Sequence, residues 1–204
     1  MVVLHKNSES IKEKDFAILK KVLKGECEAF GELVLRYQNR IISLGYSFFK
    51  NEEDAQDFCQ DVMFKAYQAL PSFKMTSSFY TWLMRIAYNM AINSTNKKQH
   101  FTLSIEEQDF ISPFLSPEEK FIRTCLQSAI KKAVNNLPEN YKVCIELYFF
   151  YCLSYSDIEQ ITDIPKGTIK SYIFRAKRIL KTEIEVAGLV NTISAKAFPY
   201  LFNV

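Results

Sequence analysis

Trp82, Arg85, Asn89, Asn93 and Asn96 follow one another at steps of three and four residues. On a helix that spacing gathers them into one stripe, and the residue types suit a flat, negatively charged partner. A tryptophan can stack on a base, amides can bond base edges, and an arginine can hold a phosphate. The competing interpretation is a half-buried tryptophan anchor flanked by ordinary surface amides. The helix that must carry the stripe reads SFYTWLMRIAYNM, with Ser78 as N-cap candidate and Phe79, Leu83, Ile86 and Met90 assigned to its core side.

A second group lies near the end of the chain, in LSYSDIEQITDIPKGTIKSYIFRAKRIL. A short helix is predicted from about Tyr155, with Ile158 and Ile161 pointing inward. A turn follows over Thr162–Pro165, and a longer helix starts near Gly167. Ile169, Ile173, Ala176 and Leu180 form its buried stripe, opposite Ser171, Arg175 and Arg178, with Lys170 and Phe174 beside them. This is helix-turn-helix geometry, which offers its second helix to the major groove, where arginine, lysine and serine reach bases and phosphates.

The charge map supports both groups. No acid occurs between Val62 and Ile105, where Lys65, Lys74, Arg85, Lys97 and His100 stand. The run Pro165–Lys181 holds six basic residues and no acid. Such stretches are the footprint of a polyanion partner, although any single one also fits a solvated basic face. Glu52–Asp61 is the reverse, with five acids and no base. Asn51 caps a helix predicted to run from there to about Leu70, where Pro71 ends it. Ala55, Phe58, Cys59, Val62 and Ala66 share one side of that helix. Asp54, Asp57 and Asp61 share the other, either as a solvated face or as a docking surface for a basic partner.

Composition bounds the rest. The chain has 204 residues, 48% hydrophobic and 24% charged, with only five glycines and six prolines, which favours a helical globular protein of one or two domains. Its net charge of +3 is too small to argue for nucleic acid without the distribution. Five scattered cysteines with no C-x-x-C pair, and only His5 and His100 beside them, give no zinc spacing and fit a reducing cytosol. No Walker A, G-x-G-x-x-G, G-x-S-x-G or H-E-x-x-H occurs, so an enzyme is not expected, nor a metal or cofactor. The N-terminus has no signal-peptide core, and residues 186–204, interrupted by Asn191, Lys196, Pro199 and Asn203, make a poor membrane span and suit a short packed helix better. The helical period breaks between Gln99 and Pro117, which reads as a linker.

EDAQDFCQDVMFKAYQALPSFKMTSSFYTWLMRIAYNMAIN resembles domain 2, and NNLPENYKVCIELYFFYCLSYSDIEQITDIPKGTIKSYIFRAKRIL domain 4, of bacterial extracytoplasmic-function (ECF) sigma factors. The resemblance implies an all-α fold of two small helical domains joined by a flexible linker: an extension over 1–14, domain 2 over 15–98, a linker over 99–119, domain 4 over 120–185 and a tail over 186–204. It implies a cytoplasmic transcription initiation factor that needs no cofactor and binds core RNA polymerase and promoter DNA. Asp54, Asp57, Gln60 and Asp61 would dock on a basic coiled coil of polymerase. Phe73, Lys74, Ser78, Trp82, Arg85, Asn89 and Asn93 would take the melted −10 element, with a flipped base captured by the 71–78 loop and Asn89. Lys166, Thr168, Lys170, Ser171, Phe174, Arg175 and Arg178 would read the −35 duplex. Many members are held by an anti-sigma factor wedged between the two domains, and the linker permits this.

Four features depart from the family pattern. Glu159 stands where a small residue is usual, and Tyr172 where an arginine is common. Thr162–Asp163 replaces a turn glycine, so Asp163 must take a left-handed backbone. The end of the −10 helix, NSTNKK, is less basic than usual. Two rival functions remain open from the residues: a stand-alone helix-turn-helix regulator, which predicts a homodimer on paired half-sites, and an antagonist that binds polymerase without using its DNA faces.

Overall fold

A computed structural model describes residues 2–94 and 128–186, with side-chain surroundings for 10–94 and 128–183. The linker at 99–119, Asn96, Cys125 and the tail beyond 186 lie outside the described residues. The chain divides into two compact units, Met1–Gln99 and His100–Val204.

The first unit is built from α1 (Val2–Leu23), α2 (Phe30–Phe49), α3 (Glu52–Ala69) and α4 (Phe79–Ser94). The α1 helix begins inside the segment read from sequence as an extension; residues 1–14 contain no glycine or proline to stop it. Asp15 fixes α1 to α2. It is 1% exposed and accepts hydrogen bonds from the side chains of Arg36 and Tyr37. Burial raises the pKa of both Asp15 and Tyr37, while the Tyr37 and Arg36 bonds oppose the shift at Asp15.

The α2 helix ends at Lys50 in a left-handed conformation (φ 59°), and the Asn51 side chain then opens α3 by accepting the Glu53 N–H at 3.0 Å. Gly45 lets the two helices meet: a Cβ there would stand 2.8 Å from Phe58 Cδ1 and 3.2 Å from the Ala55 backbone. Gly45→Ala gains about 1 kcal/mol of helix propensity but overpacks the contact at a cost of about 1–3 kcal/mol. A lower urea midpoint at unchanged slope is the expected result.

The core side of α4 differs from the sequence reading. Phe79, Leu83, Met84, Ala87, Tyr88 and Ala91 are buried, whereas Ile86 and Met90 are only half-buried. The buried arc is turned by about 85°, at 100° per residue, because α4 packs against both α2 and α3 and so buries a wider face than one apolar stripe. An aromatic series fills this interior: Phe30, Tyr37 and Phe73 all contact Phe79, at centroid distances of 6.4, 5.8 and 6.3 Å.

In the second unit, residues 128–135 form α5, followed by α6 (Glu139–Phe149), α7 (Tyr155–Thr162) and α8 (Lys166–Val186). Ile158, Ile161, Ile169, Ile173, Ala176 and Leu180 are all buried, the stripes that the helix-turn-helix reading requires. Cys59 and Cys144 are buried, which pushes each thiol up to about 11, so they behave as apolar side chains; Cys27 and Cys152 are exposed. Among the described residues no helix is long and apolar enough to cross a membrane.

Candidate nucleic-acid and protein interfaces

On α3, Asp54, Asp57, Gln60 and Asp61 are exposed, opposite the buried Ala55, Phe58, Cys59, Val62, Met63 and Ala66. The Asn51 amide donates to Asp54 Oδ2 at 3.2 Å, and the first-turn acids Glu52, Glu53 and Asp54 lie at the positive end of the helix. The positive end of the helix therefore favours these first-turn acids. Phe64 is 63% exposed on this same face, three residues after Asp61 and seven after Asp57. Sequence reasoning missed it. The available clue was an aromatic at helical spacing within a polar stripe, where the core side was already accounted for. A carboxylate face with one protruding ring suits a basic surface that also offers an apolar contact.

The stripe on α4 lies nearly opposite the buried arc. Arg85, Asn89 and Asn93 are exposed and Trp82 is half-buried. The Trp82 ring stacks on Phe73 at 4.7 Å with 30° between planes, and Phe73 also meets Phe16 at 6.4 Å. Phe73 is 8% exposed, so it forms the floor beneath Trp82 instead of a contact surface of its own. Ser78 is occupied in capping: its Oγ accepts the Thr81 N–H at 3.0 Å and shares a 2.7 Å hydrogen bond with Thr81 Oγ1. Lys74 is exposed in the preceding loop. The start of α4 is held to α2 by Tyr80, which stacks on Tyr37 at 5.4 Å and receives Arg40 Nη1 on its hydroxyl at 3.2 Å. A fixed aromatic with exposed amides and a cation beside it is equipped to receive unpaired bases.

In the second unit α7 starts with a capping box, Ser154 Oγ accepting the Asp157 N–H at 3.2 Å and Asp157 Oδ2 accepting the Ser154 N–H at 3.0 Å. It ends at Asp163 with φ 58°, the left-handed conformation required by the missing glycine. Thr162 Oγ1 supports the turn by donating to the Ile158 carbonyl at 2.8 Å and accepting the Ile164 N–H at 3.3 Å. Glu159, unusual at its position, serves the turn as well. Its Oε1 accepts the Lys166 N–H at 2.8 Å, capping α8 and placing a carboxylate at its positive end. Lys166 Nζ donates to Ser156 Oγ at 2.9 Å, a second tie across the turn.

On α8, Lys170, Ser171, Arg175 and Arg178 are exposed, Phe174 is 48% exposed and Thr168 is half-buried. Ser171 Oγ bonds back to the Gly167 carbonyl at 3.1 Å. Lys177 is set apart from this face, 5.6 Å over the Phe149 ring, where burial lowers its pKa. Arg175 Nη1 donates to Tyr141 Oη at 3.3 Å, and the Tyr141 and Tyr172 rings meet at 5.0 Å. The face thus offers cations and hydroxyls on a rigid helix, with Phe174 able to touch a thymine methyl.

Residues 33–101 match the family described as Sigma-70 region 2, and residues 127–180 match Sigma-70, region 4. The chain is 33% identical over 183 residues to the RNA polymerase sigma-H factor of Pseudomonas aeruginosa, covering 85% of this chain and 95% of the relative. It is 34% identical over 181 residues to the ECF RNA polymerase sigma-E factor of Escherichia coli K12, covering 84% and 94%. Its fold is shared with CnrH, solved in complex with the cytosolic domain of CnrY, at TM-score 0.59 and 21% identity over 83% of this chain and 96% of that one. It is also shared with RpoE of Bartonella quintana, solved with the anti-sigma factor NepR, at TM-score 0.54 and 24% identity over 77% and 97%. With both sigma-70 regions in order and over 80% of its length aligned to such relatives, the chain belongs to the ECF RNA polymerase sigma factors, which are transcription initiation factors and not enzymes.

Proposed function

We propose that this chain directs core RNA polymerase to a two-part promoter through three separate surfaces. Asp54, Asp57, Gln60 and Asp61 on α3 dock on polymerase, with Phe64 as an apolar contact among them. Trp82, Arg85, Asn89 and Asn93, with Lys74 nearby, hold the melted −10 strand; Phe73 supports Trp82 and Ser78 fixes the start of the helix. Lys166, Thr168, Lys170, Ser171, Phe174, Arg175 and Arg178 read and hold the −35 duplex. The observation that carries this reading is the segregation of charge on exposed faces. The α3 face is acidic through Asp61, while the exposed faces of α4 and of α8 through Lys181 contain no acid. This pattern suits one basic partner and two polyanionic ones. The site of action is the cytoplasm, with polymerase, and an anti-sigma factor is a further partner in this reading.

Arg175→Ala tests the −35 assignment. Initiation at the best promoter is expected to fall about tenfold, with preference relaxed at one −35 position, as for loss of a base-reading arginine. Multi-round transcription from promoters differing only in the −35 element measures this. Unchanged strength and unchanged preference would remove Arg175 from the reading surface.

A further inference from the structure

We propose that Tyr141 is a positioning residue for sequence reading, pinning Arg175 so that the arginine meets the −35 duplex in one fixed orientation. The inference rests on the assignment of α8 to that duplex. Three observations lead to it. Arg175 is exposed on the reading face, yet its Nη1 donates to Tyr141 Oη at 3.3 Å, across 34 positions of sequence. The Tyr141 ring is itself held by Tyr172, one turn before Arg175 on α8, at a centroid distance of 5.0 Å and 41° between planes. Tyr141 stands in the first turn of α6, where its N–H donates to the Pro138 carbonyl at 2.9 Å, so the hydroxyl projects from a stiff start.

Tyr172 is half-buried and supports Tyr141. Beside the pair, a cleft of about 460 Å³ is lined by Tyr141, Arg175, Arg178, Ile179, Thr182 and Glu183. Without the phenol, the guanidinium could swing over this cleft and reach alternative acceptors.

Pinning changes selectivity more than attraction. A free arginine loses rotamer freedom on binding and can adjust to several acceptor arrangements. A pinned one has already lost much of that freedom and presents its donors at one angle, which favours a base with two acceptors in register, such as guanine. The phenol can remain a partner during binding, because a guanidinium has five N–H donors and this contact uses one.

The test uses the full-length chain assembled with core RNA polymerase and a promoter library randomised across the −35 element. Transcripts from the parent, Tyr141→Phe and Arg175→Ala are sequenced. Tyr141→Phe keeps the ring against Tyr172 and removes only the hydroxyl. It is expected to reduce discrimination about fivefold at the one position where Arg175→Ala also loses it, leaving other positions as in the parent and the unfolding temperature within about 2 °C. A Tyr141→Phe profile identical to the parent's overturns the proposal. So does a uniform loss at all positions with a lowered unfolding temperature, which marks Tyr141 as a plain clamp between α6 and α8. If Arg175→Ala itself changes no position, the reading of the duplex by Arg175 fails, and the pin falls with it for that separate reason.

Discussion

With Asp57 and Asp61 both changed to lysine, binding to core RNA polymerase is expected to weaken by at least about 100-fold, because like charges set against each other across an interface cost several kcal/mol. Both side chains are exposed on α3, away from its buried stripe. The fold should therefore survive; exposed substitutions away from special contacts cost about 0.5 kcal/mol or less. Competition of the variant against labelled parent for core enzyme, with circular dichroism as the fold control, gives the answer. Retained affinity would place the docking surface elsewhere. The difference between parent and variant should shrink in high salt, which screens both the parent's attraction and the variant's repulsion.

Trp82→Ala is expected to slow open-complex formation on duplex promoters by about tenfold or more, since stacking of one base on an aromatic is worth ~1–3 kcal/mol. The ring is well placed for this, supported from below by Phe73 at 4.7 Å and left half-exposed. On a template already mismatched across the −10 element the defect should narrow, because the unstacking that Trp82 helps to offset has been done in advance. Trp82→Phe should recover most of the rate by keeping an aromatic face. Permanganate footprinting of unpaired thymines follows opening directly. Equal rates for Trp82→Ala and the parent on duplex DNA would return Trp82 to the competing interpretation, a partly buried anchor.

The sequence was most legible where a single local rule decides the structure. Asn51 before three acids, Ser78 before an aromatic helix, and Ile169, Ile173, Ala176 and Leu180 at helical steps each follow from capping or periodicity, and each stands as expected. Even the awkward Asp163 takes the backbone that its place in the turn demands. Legibility failed where tertiary neighbours decide. Ile86 and Met90 looked like core because the pattern cannot tell one packing partner from two, and α4 has two. Phe73 lies in the loop implied to contact DNA, but it is buried against Phe79 and against Phe16, which is distant in sequence. Glu159 departs from the family pattern, and the role of its carboxylate depends on the Lys166 N–H, seven residues later. The link from Tyr141 to Arg175 crosses a whole helix-turn-helix and leaves no periodic trace.

Above all, one chain should both join polymerase and choose where it starts. Run-off transcription by core RNA polymerase, reconstituted with this chain on a library of random promoters, examines both at once. The expected products are transcripts that share a two-part upstream motif and are absent with core enzyme alone. Tight binding to core enzyme without such transcripts, or sequence-specific DNA binding by the chain without any affinity for polymerase, would refute the proposed function.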